Sequence, residues 1–458
     1  MKKFPLFSLW ILLFFIQSCS STKKTVNENP KEIISIEAEN LPQQVAYITD
    51  QNKNILIIKN ISPGNFTDTL SLPEGYYKIN IGKEYSDIYL QPGMDLKIYV
   101  DGNQFDETIR YEGTGADINN FLAAEMLANE KDKQKYALQN LVNLPEKDFL
   151  KTVDSLYQAK LKRLNDAFDS KNDFTGLQAK KYLVERNQML SQYPRYKSFI
   201  LKKPYQTSPG YPAPLDGLGT EDPALIKVPG YLDLVVNSLI EDADKKLLQE
   251  DFMYGMLVTA EKKFTSNPAL KEKAIAKLAQ EGIGYTKKLD DFYAVFDRNV
   301  KDPAVRKVIT EKYNNLKKLQ AGNPSPDFTA YDINGKEYHL SDFKGKNVYI
   351  DLWATWCAPC RAEIPFLEKL KKEYEGKDVV FVSIDVYDDK GKWEKMVKSG
   401  KITGIQLIIP ERDSEFLKAY DVTGIPRFIF IDKEGKIIDN NASRPSNPKT
   451  KELIDKYL

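Results

Sequence analysis

This chain of 458 residues has little sulfur and almost no imidazole: three cysteines and a single histidine, His339. A structural zinc site takes four protein ligands, and a catalytic one takes three plus water. One of the three cysteines stands at the extreme N-terminus, so the remaining set is too small for zinc, and no metal or other cofactor is expected. One histidine also leaves nothing for a Cys-His or Ser-His-Asp hydrolase, because His339 falls in a turn or short strand before Leu340. No glycine-rich phosphate loop of the Walker type occurs. Charge of one sign is lacking too: 66 basic against 65 acidic residues give a formal net charge of +1. The two signs are interspersed, with no basic stripe for nucleic acid, and Lys369-Leu-Lys-Lys372 reads as solvated helix surface. Past the N-terminus no run is apolar and long enough to span a membrane.

What is present is Cys357-Ala-Pro-Cys360, at the end of the run Val348-Tyr-Ile-Asp-Leu-Trp-Ala-Thr-Trp356. An apolar strand leads straight into the pair, and a helix starts there. Unpaired backbone N–H groups and the helix dipole at such a start stabilise a thiolate, the form that attacks disulfides. Two other readings of the pair are half a zinc site, which the ligand count disfavours, and a structural disulfide. A bridge across two residues restricts the unfolded chain little, so redox chemistry is the better reading. Cys357, first at the helix start, is expected to be the exposed attacking thiol. Cys360, one turn later, faces the protein and resolves the mixed disulfide. Pro359 stiffens the turn at little cost inside the first helical turn, and Pro365 is expected to kink the helix. Arg361 and Glu363 read as a solvated face.

Residues 323–458 resemble the thioredoxin superfamily, specifically the TlpA-like and ResA-like thiol-disulfide oxidoreductases. The active-site run Asp351-Leu-Trp-Ala-Thr-Trp-Cys-Ala-Pro-Cys360 carries the resemblance. So do the entry segments Pro324-Ser-Pro-Asp-Phe-Thr329 and Leu340-Ser-Asp-Phe-Lys-Gly-Lys346, and Thr423-Gly-Ile-Pro-Arg-Phe-Ile-Phe-Ile-Asp-Lys-Glu-Gly435. It implies an α/β thioredoxin-like fold and a redox disulfide between Cys357 and Cys360. It also implies that Asp351 is a buried carboxyl exchanging a proton with Cys360, since burial lifts a carboxyl pKa towards neutrality. Pro426 is expected to be cis, in a loop against the cysteine pair whose backbone pairs with a substrate strand. Trp356 is expected at the active-site rim and Trp353 in the core. Peroxiredoxins share the fold, but their proline and threonine upstream of the cysteine are replaced here by Ile350 and Ala354.

The N-terminus reads Met-Lys-Lys, an apolar run from Phe4 to Ile16, then Gln17-Ser18-Cys19. This is a secretory signal with too short a core for a transmembrane helix. Cysteine after Ser18 resembles the bacterial lipobox, which makes residues 1–18 a lipoprotein signal peptide and Cys19 the lipidated first residue. A plain signal peptide with an incidental cysteine is the alternative. Ser20 in place of aspartate favours the outer membrane, by analogy with enteric sorting. The expected location is the cell envelope, on the periplasmic side.

After a linker at 19–30, residues 31–115 alternate in short β-rich runs such as Gln44-Val-Ala-Tyr-Ile-Thr49 and Asp95-Leu-Lys-Ile-Tyr-Val100, which argues for a β-sandwich-like domain. This span resembles the N-terminal β-domain found ahead of the thioredoxin-like domain in Bacteroidetes-type lipoproteins. Residues 116–320 repeat apolar positions at three and four and read as a helical domain, broken by the Pro/Gly-rich stretch from Lys203 to Gly230. Packed spacer, substrate clamp and dimer interface are the readings of that domain.

The expectation is a membrane-anchored thiol-disulfide oxidoreductase that reduces protein disulfides in the envelope, for example during cytochrome c maturation. Its partners are protein disulfide substrates and a membrane dithiol electron donor; homodimerisation is one role open to the added domains. The alternatives are a disulfide isomerase, or a ligand- or partner-binding lipoprotein whose redox domain is secondary.

Overall fold

A computed structural model describes residues 31–458 except 52–53 and 411–413. The signal sequence and Cys19 lie outside the described residues. The chain divides into two compact units: one runs up to Thr207 and takes in Lys227–Pro229, the other comprises Ser208–Ile226 and Gly230–Leu458.

The first unit begins with a five-stranded and a four-stranded sheet, the β-sandwich class expected from the alternating runs. The strand Asp95–Asp101 shows why: Leu96, Ile98 and Val100 are buried, while Asp95 and Lys97 point to solvent. That period of two is what a half-buried strand requires. Three long helices follow, Ala116–Tyr136, Glu146–Ala167 and Asp173–Leu201. Asn119 of the first docks on the sheet. Its side chain accepts from the Tyr89 N–H at 2.8 Å and donates to the Tyr89 carbonyl at 3.1 Å. The third opens with a capping box in which Asn172 and Thr175 satisfy each other's backbone N–H.

Ahead of its sheet the second unit carries five further helices of more than ten residues, Tyr231–Asp242, Phe252–Lys263, Pro268–Gly282, Leu289–Asn299 and Pro303–Lys318. Asn267-Pro268 and Asp302-Pro303 place a capping side chain and then a proline at the first helical position, the arrangement that starts a helix most readily. Sequence periodicity treated 116–320 as one helical domain; in the structure its helices are divided between the two units.

The same unit ends in a seven-stranded sheet. Its strands are β1 (Ala330–Tyr331), β2 (Glu337–Tyr338), β3 (Asn347–Trp353), β4 (Val379–Asp385), β5 (Ile405–Ile408), β6 (Arg427–Ile431) and β7 (Ile437–Asp439). Their order is β2-β1-β5-β4-β3-β6-β7. β3 runs parallel to β4 and antiparallel to β6. All seven residues of β3 are buried, as expected of a central strand covered on both faces. Helices α1 (Ala358–Glu373), α2 (Lys390–Lys398), α3 (Glu415–Ala419) and α4 (Pro448–Lys456) complete the domain. Leu367 and Leu370 of α1 pack with Tyr349, Phe381, Phe428 and Ile454. This is the α/β thioredoxin-like architecture expected of the C-terminal third.

Candidate active site

The buried strand β3 delivers the chain to a tight turn, Ala354–Trp356, after which α1 begins with Cys357 as its N-cap. The Cys357 sulfur accepts from the Cys360 N–H at 3.1 Å, so a terminal backbone donor points at the sulfur that would carry negative charge. Cys357 and Cys360 are joined as a disulfide. Pro359 lies within the first helical turn, and the helix continues through Pro365.

Cys357 was expected to be exposed. In the disulfide form it is only 3 % exposed and Cys360 4 %. The sulfurs sit in a cluster with Trp353, Ala354, Trp393, Ile402 and Ile408, flanked by Ile425. Tied back across the helix start, Cys357 is held against that core. The exposed neighbour is Trp356, at 61 %, while Trp353 is buried.

Asp351 lies on β3 opposite Ser383 of β4 and Phe428 of β6. Its carboxyl is buried. Desolvation pushes its pKa up to about 7, offset in part by the positive charge of Lys371 and a hydrogen bond with Ser383, while the Glu363 carboxylate pushes the same way as burial. The Ile425–Pro426 peptide bond is cis, and Ile425 is the residue of that loop that packs on the cysteine cluster. A sulfur pair at a helix start, packed with the cis-proline loop and preceded on its strand by a carboxyl pushed towards neutrality, has the groups that thiol-disulfide exchange uses.

Comparisons with known proteins bear on this part of the chain. The family model described as Redoxin matches residues 320–457. The thiol-disulfide oxidoreductase ResA of Bacillus cereus is 32% identical over 146 residues, which is 32% of this chain and 81% of that protein. The chain belongs to the ResA-like thiol-disulfide oxidoreductases. The ResA of Bacillus subtilis is 34% identical over 121 residues, 26% of this chain and 66% of its own length. Among solved structures, the thioredoxin domain of a thiol-disulfide oxidoreductase from Bacteroides vulgatus is 28% identical. That match covers 31% of this chain and 99% of the other, with a TM-score of 0.28. The likeness belongs to the last third of the chain, so the enzyme is a thioredoxin-like oxidoreductase with a long N-terminal extension.

In the ResA-like domain two acidic residues stand where the sequence did not put them. Glu363, read as part of a solvated face, is buried. It accepts from the Ser446 backbone N–H and hydroxyl, both at 2.9 Å. The turn before α4 folds over it, whereas Arg361 stays exposed. Asp385, at the end of β4, was not singled out at all. It is fully buried beside Trp353 in the β3–β4 register. One carboxyl oxygen accepts from the Asp388 N–H at 3.0 Å and the Tyr387 N–H at 3.3 Å, while the other has no partner among the described residues. Burial, reinforced by the Asp388 carboxyl, pushes its pKa up to about 8. Asp388 in turn accepts the Thr355 N–H of the active-site turn. The signal in the sequence was an aspartate closing the otherwise apolar run Val379-Val-Phe-Val-Ser-Ile384.

The single histidine is remote from this chemistry: its ring nitrogens lie 3.1 Å from the Phe328 carbonyl and 3.0 Å from Glu337. Among the described residues no group of three or more His, Cys, Asp or Glu could hold a metal ion.

Proposed function

We propose that this protein is a lipid-anchored reductase of protein disulfides in the cell envelope, with Cys357 as nucleophile and Cys360 as resolving thiol. The observation that carries the proposal is the cysteine pair joined at the start of α1; the burial of Asp351 on the strand leading to it, which pushes that carboxyl up to about 7, supports it. In the reduced enzyme the Cys357 thiolate attacks one sulfur of a client disulfide. A Cys357–client bond forms, the client S–S bond breaks, and the released client thiolate takes a proton. Asp351 accepts the Cys360 proton, and the Cys360 thiolate then attacks Cys357. The Cys357–Cys360 bond forms and the second client thiolate leaves and is protonated. Two electrons pass to the client, and a dithiol donor must return them.

Apocytochrome c, with its paired cysteines, is a client class that such a reductase would serve. The N-terminal signal and Cys19 support an anchor on the periplasmic side of the envelope. No helix among the described residues is long and apolar enough to cross a membrane, so the acyl chains on Cys19 would supply the attachment. The added β-rich and helical regions are the candidates for client selection, as domains at 31–115 and 116–320. The test is insulin reduction by the full chain together with Cys360→Ser trapping. Turnover by the parent enzyme and stable mixed disulfides on Cys357 are expected in the variant. Absence of both would sink the proposal.

A further inference from the structure

A cavity of about 550 Å³ opens at the cis-proline loop, where the cysteine cluster ends. It is walled by residues 423–428, by the turn between β7 and α4, and by Tyr285 from the turn between the helices Pro268–Gly282 and Leu289–Asn299. Its charge is one-sided. Two guanidinium groups line it, Arg427 and Arg444, and no Asp or Glu does.

Arg427 directly follows the cis proline and is half-buried. An arginine side chain offers five N–H donors. The Nε–H donates to the Asn440 carbonyl at 2.9 Å, and the terminal nitrogens have no hydrogen-bond acceptor among the described residues. Burial pulls its pKa down, although Tyr285, Asp421, Asp439 and Tyr420 act in the opposite sense. Neither aspartate is within ion-pair distance. Asp421 pairs with Lys312 at 3.2 Å, and Asp439 accepts the Asn441 N–H at 2.9 Å. Arg444 also has no carboxylate partner among the described residues. A guanidinium lining a cavity with no carboxylate partner presents its N–H donors to whatever enters, and an arriving carboxylate could take bidentate hydrogen bonds from it.

We infer that this cavity is a specificity pocket for a carboxylate carried by the substrate close to its reactive disulfide, with Arg427 as the principal ligand and Arg444 as a second cation. The inference rests on the oxidoreductase reading, because the cavity adjoins the loop along which a substrate strand would lie. It adds that acidic substrates are preferred. The carboxylate belongs either to an Asp or Glu side chain of a client protein or to a small disulfide such as oxidised glutathione.

The experiment uses the full chain, reduced, in single-turnover reaction with two disulfide peptides that differ only in Glu or Gln two residues before the attacked cysteine. The wild type should reduce the Glu peptide at least about tenfold faster in kcat/KM, the factor a charge-assisted hydrogen bond supplies. Arg427→Gln should bring the ratio to near one, Arg427→Lys should retain part of it, and Arg444→Gln should diminish it. Arg444 is exposed, so its variant carries the test should Arg427→Gln fail to fold. Comparing oxidised glutathione with its ethyl ester separates the sources: preference for the free acid there points to the small disulfide, and preference among peptides alone points to a client side chain. Equal wild-type rates on the Glu and Gln peptides, together with equal rates on oxidised glutathione and its ester, would overturn the pocket and leave the oxidoreductase reading standing. So would a preference unchanged in both Arg→Gln variants. Failure of the wild type to reduce either peptide would overturn both.

Discussion

Two of the carboxyls buried in the ResA-like domain, Asp351 on β3 and Asp385 on β4, are distinguishable by pH. With a pKa of about 7, Asp351 is half ionised at neutral pH, the condition in which one group can both accept and return a proton. Asp351→Asn should slow release of the client from the mixed disulfide on the order of a hundredfold, the lower end of what general base catalysis contributes. It should also remove the inflection near pH 7 from the rate profile. Quenched-flow trapping of the mixed disulfide between pH 5 and pH 9 would check both. Asp385 should show itself in stability. An unfolded aspartate titrates at about 4, whereas the folded one titrates at about 8. Between those values the native state binds the extra proton, so stability falls as pH rises. Asp385→Asn should therefore match the oxidised parent at pH 4 and exceed it at pH 9. The gain should be a few kcal/mol, because each pH step between the two titrations is worth about 1.4 kcal/mol. Urea midpoints at the two pH values are the measurement.

At the scale of elements, the sheet and helices of the ResA-like domain were readable because their signals are local. A mostly apolar run makes a covered strand, a cysteine pair before a helical period marks the helix start, and Asn-Pro and Asp-Pro mark caps. What could not be read is contact across long sequence separations. Glu363 looked solvated because charged residues on a first helical turn usually face water; the returning turn at Ser446 covers it. Asp385 looked like an ordinary strand end, since the desolvation comes from packing that no periodicity encodes. Arg427 looked like one residue of a hairpin, because its cavity is assembled from three separate stretches. The same applies to Asn119, a polar residue inside a helical pattern that ties its helix to the strand carrying Tyr89. Truncating it leaves a buried N–H and a buried carbonyl unpaired. Asn119→Ala should cost about 2–4 kcal/mol, read as a lowered urea midpoint with the reductase rate per folded molecule unchanged.

For the molecule as a whole, amphipathic periodicity shows that a helix buries one face but not what it buries it against. That is why 116–320 read as one domain, although its helices contribute to two compact units. The proposed attachment acts at this scale. Cys19→Ser should move the protein from the membrane pellet to the soluble envelope extract, because the proposed attachment is through acyl chains on that residue. Persistence in the pellet after a salt wash would count against the lipid anchor.

The near-complete enclosure of the oxidised Cys357 has a bearing on traffic through the enzyme. A sulfur that solvent scarcely touches is slow prey for free thiols drifting past, so the spent form is insulated from background redox buffers. On the proposed reading, recharging would then fall to a dithiol protein able to dock beside Ile425 and the exposed Trp356 indole, which would make turnover depend on docking rather than on ambient potential.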